Sequence, residues 1–494
     1  MPTLRAVGAR SASLLVVLAT VAAVAAFVAA ERWIAGAPGL PLDDAWIHRH
    51  FARNLAEGAG FSYNPGTPVA GSTAPLWTLV LGGAFALVGP SLLATKVLGV
   101  VLTASAALVS RQAALAWGAT PLAATGTAFA LVWTAALAWG ALSGMEVSLA
   151  ALLVSAALAA HAHDRPGLVA GLAALAPLAR PESAILIPLF ALARPPRARR
   201  LAIFGAIAAL LLAPSVVFNL ATTGTPLPAT VAAKVEGGLV GWLAGADVSL
   251  RRALLERPWQ FGREWVGWLA ATHWLLPLVI PIGVVQAWRR HGPALGLPAL
   301  GLVVHPLAMA LLAPYRGPGF QEGRYSMHLL PLALVVVAAA LPISGRWQRA
   351  GIAIYLVVAL ALLPRAAERY GWAVQNINAM QVHLGHWVDS HVPPRARLAL
   401  NDVGAIAYVS RRQVIDLMGL VTPEIAPYRR RGEAGVIDFV SRTCPDFVIV
   451  FPDWFPDLTA RRSLLEPIYA VRLTRNVVAG GPEMVVYRVI RCAL

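Results

Sequence analysis

Charge is scarce in this chain. Only 13% of its 494 residues are Asp, Glu, Lys or Arg, against about a quarter in ordinary soluble proteins, so a wholly water-soluble globule is excluded. Lysine is almost missing: Lys96 and Lys234 are the two, and every other basic residue is arginine. Cysteine is limited to Cys444 and Cys492, with no metal-ligand spacing; a disulfide between them is open if that region lies outside the cytoplasm. Internal repeats and low-complexity stretches are lacking. Gly58, Gly60 and Gly66 do not form a phosphate loop and read as turn residues.

What the chain has instead is apolar length. It is 58% hydrophobic with a mean hydropathy of +0.66, arranged as long runs separated by short arginine-rich breaks, the pattern of a polytopic membrane protein. The formal net charge of +16 does not gather into one patch. The arginines sit at the ends of apolar runs, where cytoplasmic loops hold them, and a nucleic-acid partner is discounted.

The charge pattern orients the chain. Arg5 and Arg10 place the N-terminus inside, and the first run, about 11–30, reads as an uncleaved anchor. Arg111, the Arg194–Arg200 cluster, Arg289 and Arg290, and Arg346 and Arg349 mark further inner loops. The result is about eleven spans over residues 1–364. The polar breaks at 43–44, 144–146, 180–182, 222–234 and 316–325 then all fall outside. The outer loop at 36–90 carries Asp43 and Asp44, a helix with Ile47, Phe51 and Leu55 on one stripe, and the short apolar piece 74–89, expected at the interface with Trp77 as its anchor. From about Arg365 the composition changes to β-branched runs such as DFVIVF and MVVYRVI beside a helix-like stretch, which indicates an extracytoplasmic α/β domain over 365–494.

Mixed-charge clusters at span ends on one side of a bilayer are functional-site candidates. Either acid of the doublet suits a general base, and one pKa is expected to rise because adjacent carboxylates repel; the competing reading is an N-cap for the helix that follows. Arg180, Lys234 and Arg324 are candidates for binding a phosphate, with snorkelling or structural ion pairing as the alternative for each. Glu146 and Glu182 are candidates for orienting those cations or capping a helix. His48, one turn after Asp44, either tunes it or is solvated at the interface. Tyr325 and His328 lie beside Arg324, where packing is the plain expectation. Asp43, Asp44 and Glu146 offer hard oxygen ligands for Mg²⁺ or Mn²⁺, but no ligand spacing compels a metal and none is expected as a requirement. Asn401, Asp402, Asp416 and Glu424 fall near strand ends of the C-terminal domain, where ligand binding or simple turn formation would use them equally well. His383 and His386, three apart, are expected to face solvent.

Several of these segments, taken in order, resemble bacterial GT-C glycosyltransferases, particularly the arabinofuranosyltransferase-like branch: LDDAWIHRHFARNLAEGAGFSYNPG with GSTAPLWT, then LSGMEVSLAALL, LARPESAIL, TTGTPLPATVAAK, GRYSMHLLPL, and NDVGAIAYVSRRQVIDLMGLVTPEI in the soluble domain. The resemblance implies an inverting, multi-pass enzyme of the bacterial inner membrane. Such enzymes take a sugar from a polyprenyl-phosphate donor and pass it to a cell-envelope glycan or glycolipid acceptor. An acid of the first outer loop, here Asp43 or Asp44, would be the base. A transporter or flippase of lipid-linked glycans competes, though that class often shows inverted repeats and mid-span charges, and the charges here sit at span ends. A catalytically dead scaffold with a glycan-binding outer domain is the third reading.

Overall fold

The computed structural model describes residues 2–228, 239–243, 249–312, 320–341 and 343–492. The chain divides into two compact units. One comprises Met1–Ala29, Thr95–Ser215 and Lys234–Ala367; the other comprises Ala30–Ala94, Val216–Ala233 and Glu368–Leu494.

The first unit is helical, and its helices follow the apolar runs. Among the described residues of the whole chain, six helices are long and apolar enough to cross a membrane: Ser11–Ala35, Leu92–Ala116, Arg197–Thr223, Pro293–Leu312, Gln321–Ala340 and the long Gly345–His391. Two bent pairs raise the number to eight. Pro121–Trp133 with Ala135–Leu142 bends by 58°, and Arg252–Thr272 with Leu276–His291 by 105°. By length and composition, the described residues therefore do not confirm the expected eleven. Val147–Ala162, Pro166–Ala179 and Pro181–Leu192 are helical and apolar but short; at about 1.5 Å per residue, 16 residues reach only ~24 Å of a ~30 Å hydrocarbon core. Proline divides the last two of these, because Pro181 cannot donate to the preceding turn and restricts Arg180 to an extended backbone.

Small and hydroxylic residues draw these helices together, as expected where the surroundings are as apolar as leucine. Thr103 bonds Ser148 at 2.8 Å and Ser110 bonds Ser155 at 2.9 Å. At Gly99 any Cβ would overlap the Ala141 carbonyl oxygen, so glycine permits that approach.

The second unit is built around a five-stranded sheet: β1 (Arg397–Leu400), β2 (Gln413–Asp416), β3 (Phe447–Val450), β4 (Leu465–Arg472) and β5 (Glu483–Val489), in the order β2-β1-β3-β5-β4. β2, β1 and β3 run parallel, and β5 and β4 join antiparallel. Side chains alternate across the pleat. Ala399, Val448 and Val450 meet Val436, Val440 and Leu458 on one face. Leu398, Leu400 and Ile449 meet Met380, Leu384 and Val388 on the other. Ile47, Phe51 and Tyr63 of the first loop belong to that second core, so two of the three stripe residues face the sheet, while Leu55 packs towards Gly82. The loop also covers the sheet's edge: Asn64 accepts from the Val414 amide (2.9 Å) and donates to the Val414 carbonyl (2.8 Å), pairing groups that an edge strand leaves open.

One expectation changes here, and one open question is answered. Trp77 lies in the Pro75–Val88 helix with no exposed surface, so it is a core residue rather than an interfacial anchor. The cysteines form a Cys444–Cys492 disulfide with Cα atoms 5.8 Å apart.

Candidate active site

The candidate residues fall into an acidic group in the second unit and a cationic group in the first. The acidic doublet opens the helix Asp43–Ala56, whose N-cap is Leu42 with no side-chain cap. Asp43 does not cap its own helix. Its Oδ2 accepts from the Gly404 amide and its Oδ1 from the Ala405 amide, both at 2.7 Å, and these two residues start the helix Ala405–Ser410 of the C-terminal domain. Further bonds tie the two helices: Arg49 Nη2 donates to the Tyr408 hydroxyl at 2.9 Å, Arg53 Nη1 donates to the Tyr408 carbonyl at 2.6 Å, and both guanidinium groups lie over the Tyr408 ring.

The loop bearing those amides is pinned from several sides. Tyr63 donates its hydroxyl to the Val403 carbonyl. The Asn401 side chain accepts from the Phe451 amide at 3.2 Å, and Gln381 donates to Asp402 Oδ2 at 2.8 Å. Burial pushes the Asp43 carboxyl up to about 6, against the two amides that lower it, and the Asp44 charge adds to the rise. Asp402 is driven well above the ordinary carboxylate range by burial and then by the charge of Asp43. Asp43 and Asp44 retain partial exposure while Ala45–Asn54 is buried.

Other candidates have different surroundings. His48 is buried, with Nδ1 3.2 Å from Ser72 Oγ and 3.4 Å from Thr78 Oγ1, so it is not a solvated interfacial histidine. Asp416 closes a turn, accepting from the amides of Met418 (2.7 Å), Leu420 and Val421 (2.9 Å). Burial lifts it to about 6. Glu424, His383 and His386 are exposed. Gly58, Gly60 and Gly66 take positive φ, as turn residues do.

In the first unit, Arg180 is buried at the break between Ala179 and Pro181. Its Nη1 donates to Glu146 Oε1, its Nε lies 3.4 Å from Glu182 Oε2, and its Cζ sits 4.7 Å from the Tyr325 ring centroid. Arg324 Nη2 donates to the Tyr325 hydroxyl at 3.0 Å, with its Cζ 5.0 Å from the ring centroid. Arg180, Glu146, Glu182, Arg324 and Tyr325 thus form one group, with Tyr325 against both guanidinium groups. Among the described residues Arg180 Nη2 has no hydrogen-bond partner. Sequence reasoning missed His305, whose Nε2 is 3.1 Å from Ser326 Oγ and whose ring is 5.8 Å from that of His328; an ionisable residue inside an apolar helix was the available signal. His328 is fully buried, and neither ring nitrogen has a partner among the described residues. Lys234 lies outside the described residues.

Among the described residues no three His, Cys, Asp or Glu side chains gather as a metal site would require. Both Asp43 oxygens already accept amide hydrogens, and two carboxylates alone are a thin ligand set for a hard cation that takes six or more oxygens.

Residues 374–487 match a family described as "Domain of unknown function (DUF8728)". No curated protein matches the chain. Among solved structures, ArnT from Cupriavidus metallidurans bound to undecaprenyl phosphate overlays with a TM-score of 0.62 at 13% identity, covering 96% of this chain and 97% of ArnT. The Archaeoglobus fulgidus oligosaccharyltransferase tethered to an acceptor peptide overlays with a TM-score of 0.56 at 12% identity, covering 92% of this chain and 72% of the other. Both neighbours are GT-C glycosyltransferases, and the chain shares their fold.

Proposed function

We propose that this chain, with its GT-C fold, is a membrane glycosyltransferase. It takes a sugar from a polyprenyl-phosphate donor and passes it, with inversion, to a cell-envelope glycan or glycoconjugate. The bacterial inner membrane, with the N-terminus inside and the disulfide-bonded C-terminal domain outside, is the setting this reading requires; disulfides persist in such oxidising compartments.

The observation that carries the proposal is the state of Asp43. A general base works best with a fixed geometry and a pKa near the operating pH. Two amide bonds at 2.7 Å hold the plane of this carboxyl, burial lifts it to about 6, and each oxygen keeps a second lone pair. Asp43 is therefore assigned as base and Asp44 as the neighbouring charge that helps raise it. In the proposed step the acceptor hydroxyl oxygen attacks the anomeric carbon as Asp43 takes its proton. The bond from that carbon to the phosphate oxygen breaks, and its electron pair leaves with the polyprenyl phosphate. Single displacement inverts the centre. Arg180 and Arg324 are assigned to the departing phosphate, where charge-assisted hydrogen bonds are strongest; Glu146 and Glu182 hold Arg180 in place, and Tyr325 supports both arginines. Lys234 is retained as a third cation on sequence grounds alone, and His48 as a support of the Asp43–Ala56 helix.

The test is single-turnover transfer by the purified full-length protein in lipid, with polyprenyl-phosphate arabinofuranose and hexose donors. Asp43→Asn is expected to lower the rate by about a hundredfold or more, the usual contribution of a general base, and Asp44→Asn by less. Unchanged turnover in a folded Asp43→Asn protein refutes the base. Donor movement across vesicles without transfer favours the flippase reading instead.

A further inference from the structure

The base assigned above is held by residues distant in sequence, which gives the C-terminal domain a role beyond acceptor contact. Resting on the transferase reading, we propose that Gly404 is a positioning residue for the reaction: the C-terminal α/β domain grips Asp43 through the Gly404 and Ala405 amides and sets the carboxyl where it meets the acceptor.

Three observations converge on this. Both oxygens of Asp43 are engaged by consecutive amides, so the carboxyl plane is fixed as well as its position. The approach admits no side chain at 404: a Cβ there would overlap the Asp43 carbonyl oxygen and lie 2.7 Å from the carboxyl carbon. The loop is anchored to the sheet core independently of Asp43, by Tyr63 to Val403, by Phe451 to Asn401 and by Gln381 to Asp402. A grip of this kind has a chemical consequence, because amide donors favour the ionised form while burial opposes it. The same two bonds therefore orient the base and keep it from remaining protonated at neutral pH. The charged and titratable groups around the grip are Asp44, Asp402, Tyr63 and, on the packed helices, Arg49 and Arg53.

The test uses the full-length protein and two variants with different chemistry. Gly404→Ala adds bulk where none fits. Ala405→Pro removes one amide donor at a helix position that tolerates proline. Asp43 is followed by infrared difference spectra against Asp43→Asn, and transfer is followed with polyprenyl-phosphate arabinofuranose across pH. Each variant is expected to raise the Asp43 titration midpoint, to lower kcat by about tenfold or more, as a misplaced reacting group does, and to leave the donor KM within about twofold. The alkaline shift must appear in the kcat profile as well. If either variant folds with the wild-type midpoint, the positioning role is overturned, even if kcat falls. If the midpoints move while the wild type transfers none of the donors offered, the grip stands and the transferase reading fails.

Discussion

A carboxyl group lifted to about 6 by burial makes the fold pay for its chemistry, and the cost is measurable. In the unfolded chain Asp43 titrates near 3.8; in the native protein it titrates at about 6. The native state therefore binds more protons than the unfolded state between these values. Stability from this group is fully present below about 3.8 and is lost as pH rises through 6. The gap corresponds to about 3 kcal/mol at ~1.36 kcal/mol per pH unit, and solvent at the partly exposed residue trims it to about 2–3 kcal/mol. Asp43→Asn removes the titration. It also turns an amide NH₂ toward one of the two N–H donors, a pH-independent penalty of about 1–3 kcal/mol. The absolute stability change is thus a poor readout, and its pH dependence is the clean one. With Asp402→Asn and Asp44→Asn in both proteins, so that neither neighbouring acid titrates in response, the protein that keeps Asp43 should lose about 2–3 kcal/mol relative to the Asp43→Asn variant between about pH 3.5 and about pH 7.5. Reversible unfolding in mixed micelles, read through tryptophan fluorescence, measures this. A flat difference, or one of opposite sign, refutes the claim that burial outweighs the two amide bonds.

The remaining predictions concern the disulfide, the core that the first loop shares with the sheet, and the arginine group of the first unit. Reducing the Cys444–Cys492 bridge, which spans 48 positions, should cost about 4 kcal/mol on the loop-entropy scale, seen as a lower unfolding midpoint in reductant that Cys444→Ser with Cys492→Ser reproduces. Phe51→Ala removes a fully buried ring from the core that the first loop shares with the sheet; it should cost about 3–5 kcal/mol and speed proteolysis of the first loop. Glu146→Gln should destabilise the protein by about 3–5 kcal/mol because it strips a buried guanidinium of a carboxylate, and Arg180→Met combined with Glu146→Leu should recover most of that stability while leaving transfer abolished.

The helices were legible because hydropathy reports composition along the chain. Length is where that reading goes unconfirmed. Val147–Ala162, Pro166–Ala179 and Pro181–Leu192 have the apolar content of spans but not the reach, and nothing in a hydropathy trace distinguishes a crossing helix from a short one packed among others. Trp77 failed for a related reason. Tryptophan at the edge of an apolar run is enriched at interfaces, but a tertiary core can claim it just as well, and only three-dimensional packing shows which. The sheet was visible because β3 (FVIV) and β5 (EMVVYRV) are β-branched runs; β1 (RLAL), β2 (QVID) and β4 (LEPIYAVR) carry no such run, and the mixed strand order was not legible, since pairing depends on contacts far apart in sequence.

The candidate site was legible by residue type and only partly by partner. The Asp doublet, Arg180 and Arg324 stood out because ionisable groups at apolar boundaries are rare and costly. Grouping Glu146, Arg180, Glu182, Arg324 and Tyr325 needed coordinates, because these residues come from three separate segments. The two amides that hold Asp43 lie 361 and 362 positions away, and backbone donors leave no mark in a sequence. One trace was there: Gly404, in NDVGAIAYV, directly precedes an apolar helix at a place where serine, threonine, asparagine or aspartate would be the stronger caps. A helix start without a capping side chain of its own leaves amide donors to be satisfied from elsewhere. Here Asp43 accepts from the amides of Gly404 and Ala405, whereas a capping side chain at 404 would take those of residues 406 and 407; what excludes such a side chain at 404 is its overlap with the Asp43 carbonyl oxygen.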